Sequence, residues 1–290
     1  MKLITGIKVC LRLFCFLFKR KYKQTYKGQF SGTCSVLVNG PSLKKIFDKF
    51  DNGEISISSD SIFVNLSALD NHFWLIKPKH YCFSDPMFYQ DYEPKKDAIR
   101  KNFKLLNENV DWDLNLYMCY PTGEEYDKFI KYSQITNPKI HFIRMNRNPC
   151  DSYPSKLYNR LLSSGYFMPL VGSVANVAVY VSILAGYKNI NLYGADNNMF
   201  LEFCVNDNNQ LCSLDSHFYD SEKPQMRPFI NTCKTTGEAW RIEEYMYSLS
   251  VMFKGHDILN KWAKSMGVHI LNCCSESMID AYDRIPRLNE

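Results

Sequence analysis

Apolar positions in this chain fall into short continuous runs, separated by stretches with helical spacing. Residues 34–39 (CSVLVN) form the first run. It stops at Gly40-Pro41, and residues 42–50 return at the 3.6-residue period of a helix. Further strand-type runs are read at 62–66 (IFVNL), 81–84 (YCFS), 114–120 (LNLYMCY), 140–144 (IHFIR), 190–193 and 268–272. Residues 172–185 (GSVANVAVYVSILA) predict a buried helix that ends at Gly186. Residues 237–266 predict a long amphipathic helix with a break at Gly255, and residues 277–282 a last helical turn. Residues 146–170 read as loop, broken by Pro149, Pro154 and Pro169. Residues 197–232 are polar and irregular, which is long for a connection and typical of a lid.

Strands alternating with helices predict an α/β fold: a Rossmann-like, mostly parallel sheet with helices on both faces. The expected domain is 34–290, with 197–232 as a lid or active-site loop, preceded by a segment and linker at 1–33. In such sheets ligands sit beyond the carboxyl ends of the strands. Several of those ends carry Gly or polar residues, which points to a nucleotide-type site.

Charge changes the picture at the N-terminus. Residues 1–27 hold eight Lys or Arg and no acid, which leaves 27 bases against 30 acids in the rest. A mildly acidic body argues against nucleic acid as a partner. Residues 3–18 (LITGIKVCLRLFCFLF) are apolar but interrupted by Lys8 and Arg12. A spanning helix needs roughly 20 nearly uncharged residues. Residues 1–27 are therefore expected to lie on an anionic membrane surface, peripherally and on the cytoplasmic side of an inner membrane. A helix packed on the body, a flexible tail and a signal anchor are the alternatives. The 11 cysteines include no CxxC pair, so reduced thiols are expected, without a zinc site.

Four clusters carry candidate chemistry. Asn39-Gly40-Pro41-Ser42 follows the first strand, where Gly would admit a ligand to the backbone and Ser42 would cap the next helix. Gly172-Ser173 opens the buried helix and would offer free N–H groups. Gly194-Ala195-Asp196 ends another strand, with Asp196 suited to a ribose hydroxyl, a metal or an acceptor sugar. Asp215-Ser216-His217-Phe218-Tyr219 lies in the lid, where His217 has the pKa range of a general base. Each has a plain structural reading too: an ordinary strand–turn–helix, a buried helix with a polar start, a turn aspartate, an incidental loop histidine. His141 and His269 lie in apolar strands and read as core residues. Asp111-Trp112-Asp113 looks like a metal-binding D-x-D but precedes its strand, which puts it at the wrong sheet edge.

Taken together, these clusters resemble the family 42 bacterial sialyltransferases. N-G-P-S-L at 39–43 is similar to that family's G-N-G-P-S-L. G-S-V-A-N-V-A followed by A-G-Y-K-N-I-N-L-Y-G-A-D is similar to its S-G-V…A-L-G-Y-K-E-I-Y-L-S-G-I-D, and S-H-F-Y to its S-H-Y. The related MptE-like proteins share the G-P-S-L and G-x-D framework. The resemblance implies an A-type glycosyltransferase fold without a metal or other cofactor. It implies a nucleotide-sugar donor and a cell-surface glycan or lipid-linked glycan acceptor, of the kind found in bacterial lipopolysaccharide or capsule. By it, Asn39, Gly40, Pro41, Ser42, Asn65, Asp85, Gly172, Ser173, Gly194 and Asp196 would meet the donor. His217 would be the base, supported by Asp215, Ser216 and Tyr219. The family's tyrosines after G-x-D are replaced by Asn197, Asn198, Met199 and Phe200, and its Arg before S-G-V by Pro169 and Leu170. Those departures bear on the donor's identity. The alternatives are an MptE-like diphosphokinase and a non-catalytic nucleotide- or glycan-binding protein.

Overall fold

The computed structural model describes residues 21–150, 155–214, 226–231, 234 and 237–285. The chain builds β1 (Thr33–Leu37), α1 (Leu43–Asp51), β2 (Ser61–Val64), α2 (Asn71–Ile76), β3 (His80–Phe83), α3 (Lys96–Asn109), β4 (Leu114–Met118), α4 (Gly123–Ser133) and β5 (Ile140–Arg144). Then follow β6 (Pro149–Cys150), α5 (Lys156–Ser163), β7 (Met168–Pro169), α6 (Val174–Ala185), β8 (Asn189–Tyr193), β9 (Cys204–Val205), β10 (Leu211–Leu214), β11 (Met226–Pro228), α7 (Ile242–Ser265), β12 (His269–Asn272) and β13 (Asp283–Arg284).

Eight strands form one sheet in the order β13-β12-β8-β1-β2-β3-β4-β5, and every pairing in it is parallel. Alternation along the strands sorts side chains into two cores. Cys34, Val36, Ile62 and Val64 face α5, α6 and α7, while Leu37, Phe63, Tyr81 and Phe83 face α1 to α4. Strand order reverses between β1 and β8. The chain runs outward from β1 to β5, then returns to β8 on the other side. That reversal is the switch point where an open α/β sheet leaves a crevice.

α6 is buried along its whole length. Gly186 closes it at φ +114°, as the Gly stop predicts. Other expectations need correction. α7 does not break at Gly255. A Cβ there would lie 2.4 Å from Leu170 O and 3.2 Å from Asn176 Nδ2, so this Gly lets the helix approach its neighbours. Residues 277–282 form no helical turn; they run on to β13, an edge strand not foreseen. The region expected to be loop at 146–170 holds α5, capped by Ser155. The described part of 197–232 is not wholly irregular, since β9, β10 and β11 form a small antiparallel sheet.

The packed body begins earlier than residue 34. Tyr22 and Asn146 exchange two hydrogen bonds (2.9 and 2.6 Å), Tyr26 is buried, and the N–H groups of Gly28 and Phe30 donate to Leu184 and Ala185 (3.0 and 2.9 Å). Tyr26 stands edge-on to Tyr117 at 4.7 Å. Full burial of such a ring contributes about 1.5–3 kcal/mol. Residues 22–30 are therefore part of the α/β body rather than a linker. No helix among the described residues is long and apolar enough to cross a membrane.

Candidate functional site at the strand reversal

The turns after β1 and β8 lie against each other. Val38 N–H donates to Tyr193 O (2.9 Å) and Gly40 N–H to Gly194 O (2.8 Å). Pro41 follows Gly40, whose carbonyl accepts from Leu43 N–H (3.0 Å), so the pair turns the chain directly into α1. Ser42 N–H donates to Asp196 Oδ2 at 2.9 Å, across 154 residues of sequence. Gly194 has φ +65°, and a Cβ on it would overlap Val38 O at 1.9 Å.

This geometry revises the role of Gly40. A Cβ there would meet Asp196 Oδ2 and Gly194 O, both at 2.4 Å. Close packing of the two turns already demands Gly, whatever ligand comes near. Ser42 has helical φ and ψ and makes no side-chain cap, contrary to expectation.

Asp196 is only 4% exposed. Burial pushes its carboxyl above the ordinary aspartate range, the Ser42 N–H and nearby hydroxyl pull it back, and Glu276 adds to the upward push. The Ser42 hydroxyl lies beside the same carboxylate. Neither it nor Asp196 Oδ1 reaches hydrogen-bond geometry with a described partner. The segment after β12 braces this turn. Ser277 Oγ donates to Ala195 O (2.7 Å), Met278 N–H to Asp196 O (2.8 Å), and Ala195 N–H to Cys274 Sγ (3.2 Å). Burial pushes the Cys274 thiol to about 12, so it stays protonated. The eight described cysteines are free thiols.

The remaining candidates divide into two groups. Asn39 is spent on structure: its Nδ2 donates to Val64 O (3.1 Å) and its Oδ1 accepts from Ser67 Oγ (2.6 Å), tying β1 to β2. Asp85 caps the turn at Pro86–Tyr89 by accepting from Met87 N–H at 2.9 Å. Gly172 and Ser173 do not offer free donors, because both N–H groups are taken by Asn176 Oδ1 at 3.2 Å in a reciprocal cap. A Cβ on Gly172 would also strike Met252 Cβ at 2.6 Å. Met252 joins this helix start to the reversal, since Asn197 Nδ2 lies 2.7 Å from its sulfur.

Asn65 is different. It ends β2 at φ +53°, its backbone is held by Cys82 O and the Tyr81 hydroxyl, and its buried Oδ1 has no described partner. Tyr120, just past β4, was missed in the sequence. Its hydroxyl is buried and also lacks a described partner. Burial raises that phenol's pKa, with Asp85 contributing, so it remains a neutral O–H donor. The one sequence signal for Tyr120 is its place at the carboxyl end of a strand, which it shares with Asn65.

Asp215, Ser216, His217 and Tyr219 lie outside the described residues. The segment 215–225 joins the paired ends Leu214 and Met226 of β10 and β11. His141 and His269 prove to be exposed edge residues, bonded to Asp113 (3.1 Å) and Asp283 (3.0 Å). The core histidines are His80 and His256. Asp111 and Asp113 stand at the opposite edge from the reversal, paired with Lys77 and with Lys139 and His141. Among the described residues no group of His, Cys, Asp and Glu is arranged to hold a metal. A groove of about 670 Å³ between α3 and α4 is lined by Arg100, Lys104, Lys128 and Lys131, of which the first three have acidic partners.

No family model and no curated protein matches the chain. Among solved structures, it is similar to the sialyltransferase CstII from Campylobacter jejuni. Against the complex with cytidine-5'-monophosphate the TM-score is 0.40, with 16% identity over 89% of this chain and 87% of that one. Against the complex with CMP-3FNeuAc the TM-score is 0.37, with 15% identity over 90% and 87%. The likeness is one of loose chain path, and no residue role described above rests on it.

Proposed function

We propose that this chain is a glycosyltransferase that binds a nucleotide-sugar donor at the β1/β8 reversal and passes the sugar to a cell-surface or lipid-linked glycan. The observation that carries the reading is the set of buried polar atoms without described partners at the strand ends: Asp196 Oδ1, Asn65 Oδ1 and the Tyr120 hydroxyl. A buried polar atom left unpaired costs about 1–3 kcal/mol, and native proteins keep such atoms where a ligand or water completes them. The sequence resemblance at 38–43, 172–196 and 215–219 supplies the chemical class.

In this reading His217 takes the proton of the acceptor hydroxyl. The acceptor oxygen then bonds to the anomeric carbon, while the bond from that carbon to the donor phosphate breaks. The nucleotide leaves with the electron pair, and the anomeric centre inverts. Tyr120 supplies a neutral O–H donor to the donor substrate, and Asn65 Oδ1 accepts from one of its hydroxyl or amino groups.

Titration calorimetry against cytidine-, uridine- and guanosine-linked sugars, with and without EDTA, tests the reading. Binding of one nucleotide class that survives EDTA is expected. EDTA-sensitive binding of a nucleoside triphosphate would favour diphosphoryl transfer instead. On the active pair, His217→Ala should lower turnover by about 10²–10⁴ and leave donor affinity unchanged. A variant with unaltered turnover removes His217 from the chemistry.

A further inference from the structure

The chain enters its body at the same sheet edge that carries the site. Tyr22 is bonded to Asn146, two residues past β5, and its hydroxyl lies 3.3 Å from where a Gly123 Cβ would stand, at the start of α4. Both mark the carboxyl edge of the strands. From there residues 22–30 descend to Leu184 and Ala185 at the opposite edge. Lys21 therefore leads out from the carboxyl edge, and upstream of it the sequence is apolar and basic without an acid. Four strand spacings separate β5 from β1, so the exit point and the reversal are roughly 20 Å apart along one edge.

Exposed apolar side chains gather at that edge as well. Leu201 lies in the turn Met199–Glu202 that follows β8, Val205 and Met226 in β9 and β11, and Ile242, Met246 and Tyr247 in the first turns of α7, whose other end leads into the amino end of β12. Leu201, Val205 and Tyr247 are 64%, 60% and 72% exposed. Only single residues such as Leu75 and Met266 are exposed at the other edge, which is ordinary for a protein surface. Glu202, Asp207, Glu238 and Glu243 are exposed among the apolar residues, against Arg227 and Arg241, so this cap is not itself an anion-seeking surface. The N-terminal bases supply attraction to anionic lipid, and the cap supplies apolar area.

We propose that the carboxyl edge of the sheet faces an anionic bilayer, held at one side by the N-terminal segment and at the other by the exposed apolar residues of the cap. The reversal site then opens toward the membrane and meets an acceptor carried on lipid. The orientation stands on the exit point and the cap. Only the consequence for the acceptor rests on the glycosyltransferase reading.

Hydrogen exchange of the full chain tests it, with phosphatidylethanolamine–phosphatidylglycerol vesicles against phosphatidylcholine vesicles. On the anionic vesicles, exchange should slow in peptides covering 199–211 and 240–248 and stay unchanged at 75–80 and 264–268. The double variant Val205→Glu, Tyr247→Glu should lower vesicle partition at least about tenfold, the worth of one buried apolar side chain. Both residues are exposed, so thermal stability and nucleotide binding should not change. Binding with no protection in the cap would mean tethering without orientation and overturns the proposal. Protection that grows with protein concentration in the absence of vesicles would make this face a contact between copies, and also overturns it. A wild-type chain that binds vesicles as expected but no nucleotide defeats the glycosyltransferase reading alone.

Discussion

The His80 cluster at the amino edge of the central sheet and the crevice at its carboxyl edge satisfy their buried polar groups to different degrees. Around His80 at the amino edge they form a closed chain, with Ser61 Oγ on β2 the buried atom there that has no described partner. Tyr187 donates its hydroxyl proton to Asp60 (2.9 Å), so it must accept from His80 Nε2–H (2.9 Å). The bare Nδ1 then accepts from the Tyr117 hydroxyl (3.0 Å), and Lys79 completes Asp60 at 2.8 Å. At the carboxyl edge Asp196, Asn65 and Tyr120 each keep an atom without a described partner. Both clusters are polar, and both hold a buried titratable group, His80 in one and Asp196 in the other. The difference teaches that neither burial nor a single unpaired atom marks a site, since Tyr26, Ser61 and His256 also keep one; several unpaired atoms at the carboxyl ends of neighbouring strands do.

The sharpest way to break this comparison is at the closed edge. His80→Ala removes two hydrogen bonds, leaves the Tyr117 hydroxyl unpaired and opens a cavity in a fully buried layer. Stability should fall by about 3–5 kcal/mol in urea denaturation. Nucleotide affinity measured on the folded fraction should hold within about twofold, because distant sites behave independently. A loss of affinity tenfold or greater would put the amino edge in the site after all.

A smaller effect is expected at the open edge. Asn65→Gly keeps the positive φ and removes only the amide. Nucleotide affinity should fall about tenfold, the worth of one hydrogen bond to a charged ligand, while Tm moves by a few degrees at most. If calorimetry gives the wild-type affinity, the unpaired Asn65 oxygen is not a ligand contact and the crevice narrows to the β1/β8 turns.

What was legible in the sequence follows the reach of the interactions involved. β1, α6 and β8 were readable because each is a continuous apolar run with a Gly or Gly-Pro boundary, and both signals are local. The cap strands are two to four residues long, below the length at which a period-two pattern shows. The four clusters were found by residue type, and the turns at 39–42 and 194–196 do meet. Their individual roles were not readable. Whether Gly40 serves a ligand or Asp196, and whether the N–H groups of Gly172 and Ser173 are free or taken by Asn176, depends on contacts fixed only by folding. Tyr120 escaped because a buried tyrosine at the end of an apolar strand looks like core until its hydroxyl is found without a partner.

The smallest expected effect is a pH signature that separates the edges by sign. Burial depresses His80 to about 3, below the ordinary 6.5. Its contribution to stability is therefore present above 6.5 and is lost as pH falls toward 3. Asp196 is shifted the other way: its folded pKa is raised above 3.8, mainly by burial. The folded state favours the protonated acid more than the unfolded state does. Its contribution is thus present below 3.8 and is lost as pH rises through the raised value, which leaves the ionised carboxylate as a cost at neutral pH. Asp196→Asn keeps an acceptor for Ser42 N–H and removes that charge. The variant should be more stable than wild type at pH 7, with Tm higher by a few degrees at most, because Ser42 N–H bonded to the carboxylate offsets part of the burial. The gap should close as pH drops to 3.8 and below, while the acid loss due to His80 and to His256, which burial also depresses to about 3, continues in both proteins. Thermal melts of the two proteins across that range check it. A gap that widens on acidification would mean that Asp196 is held ionised by a partner at the open edge, and that this edge is as closed as the other.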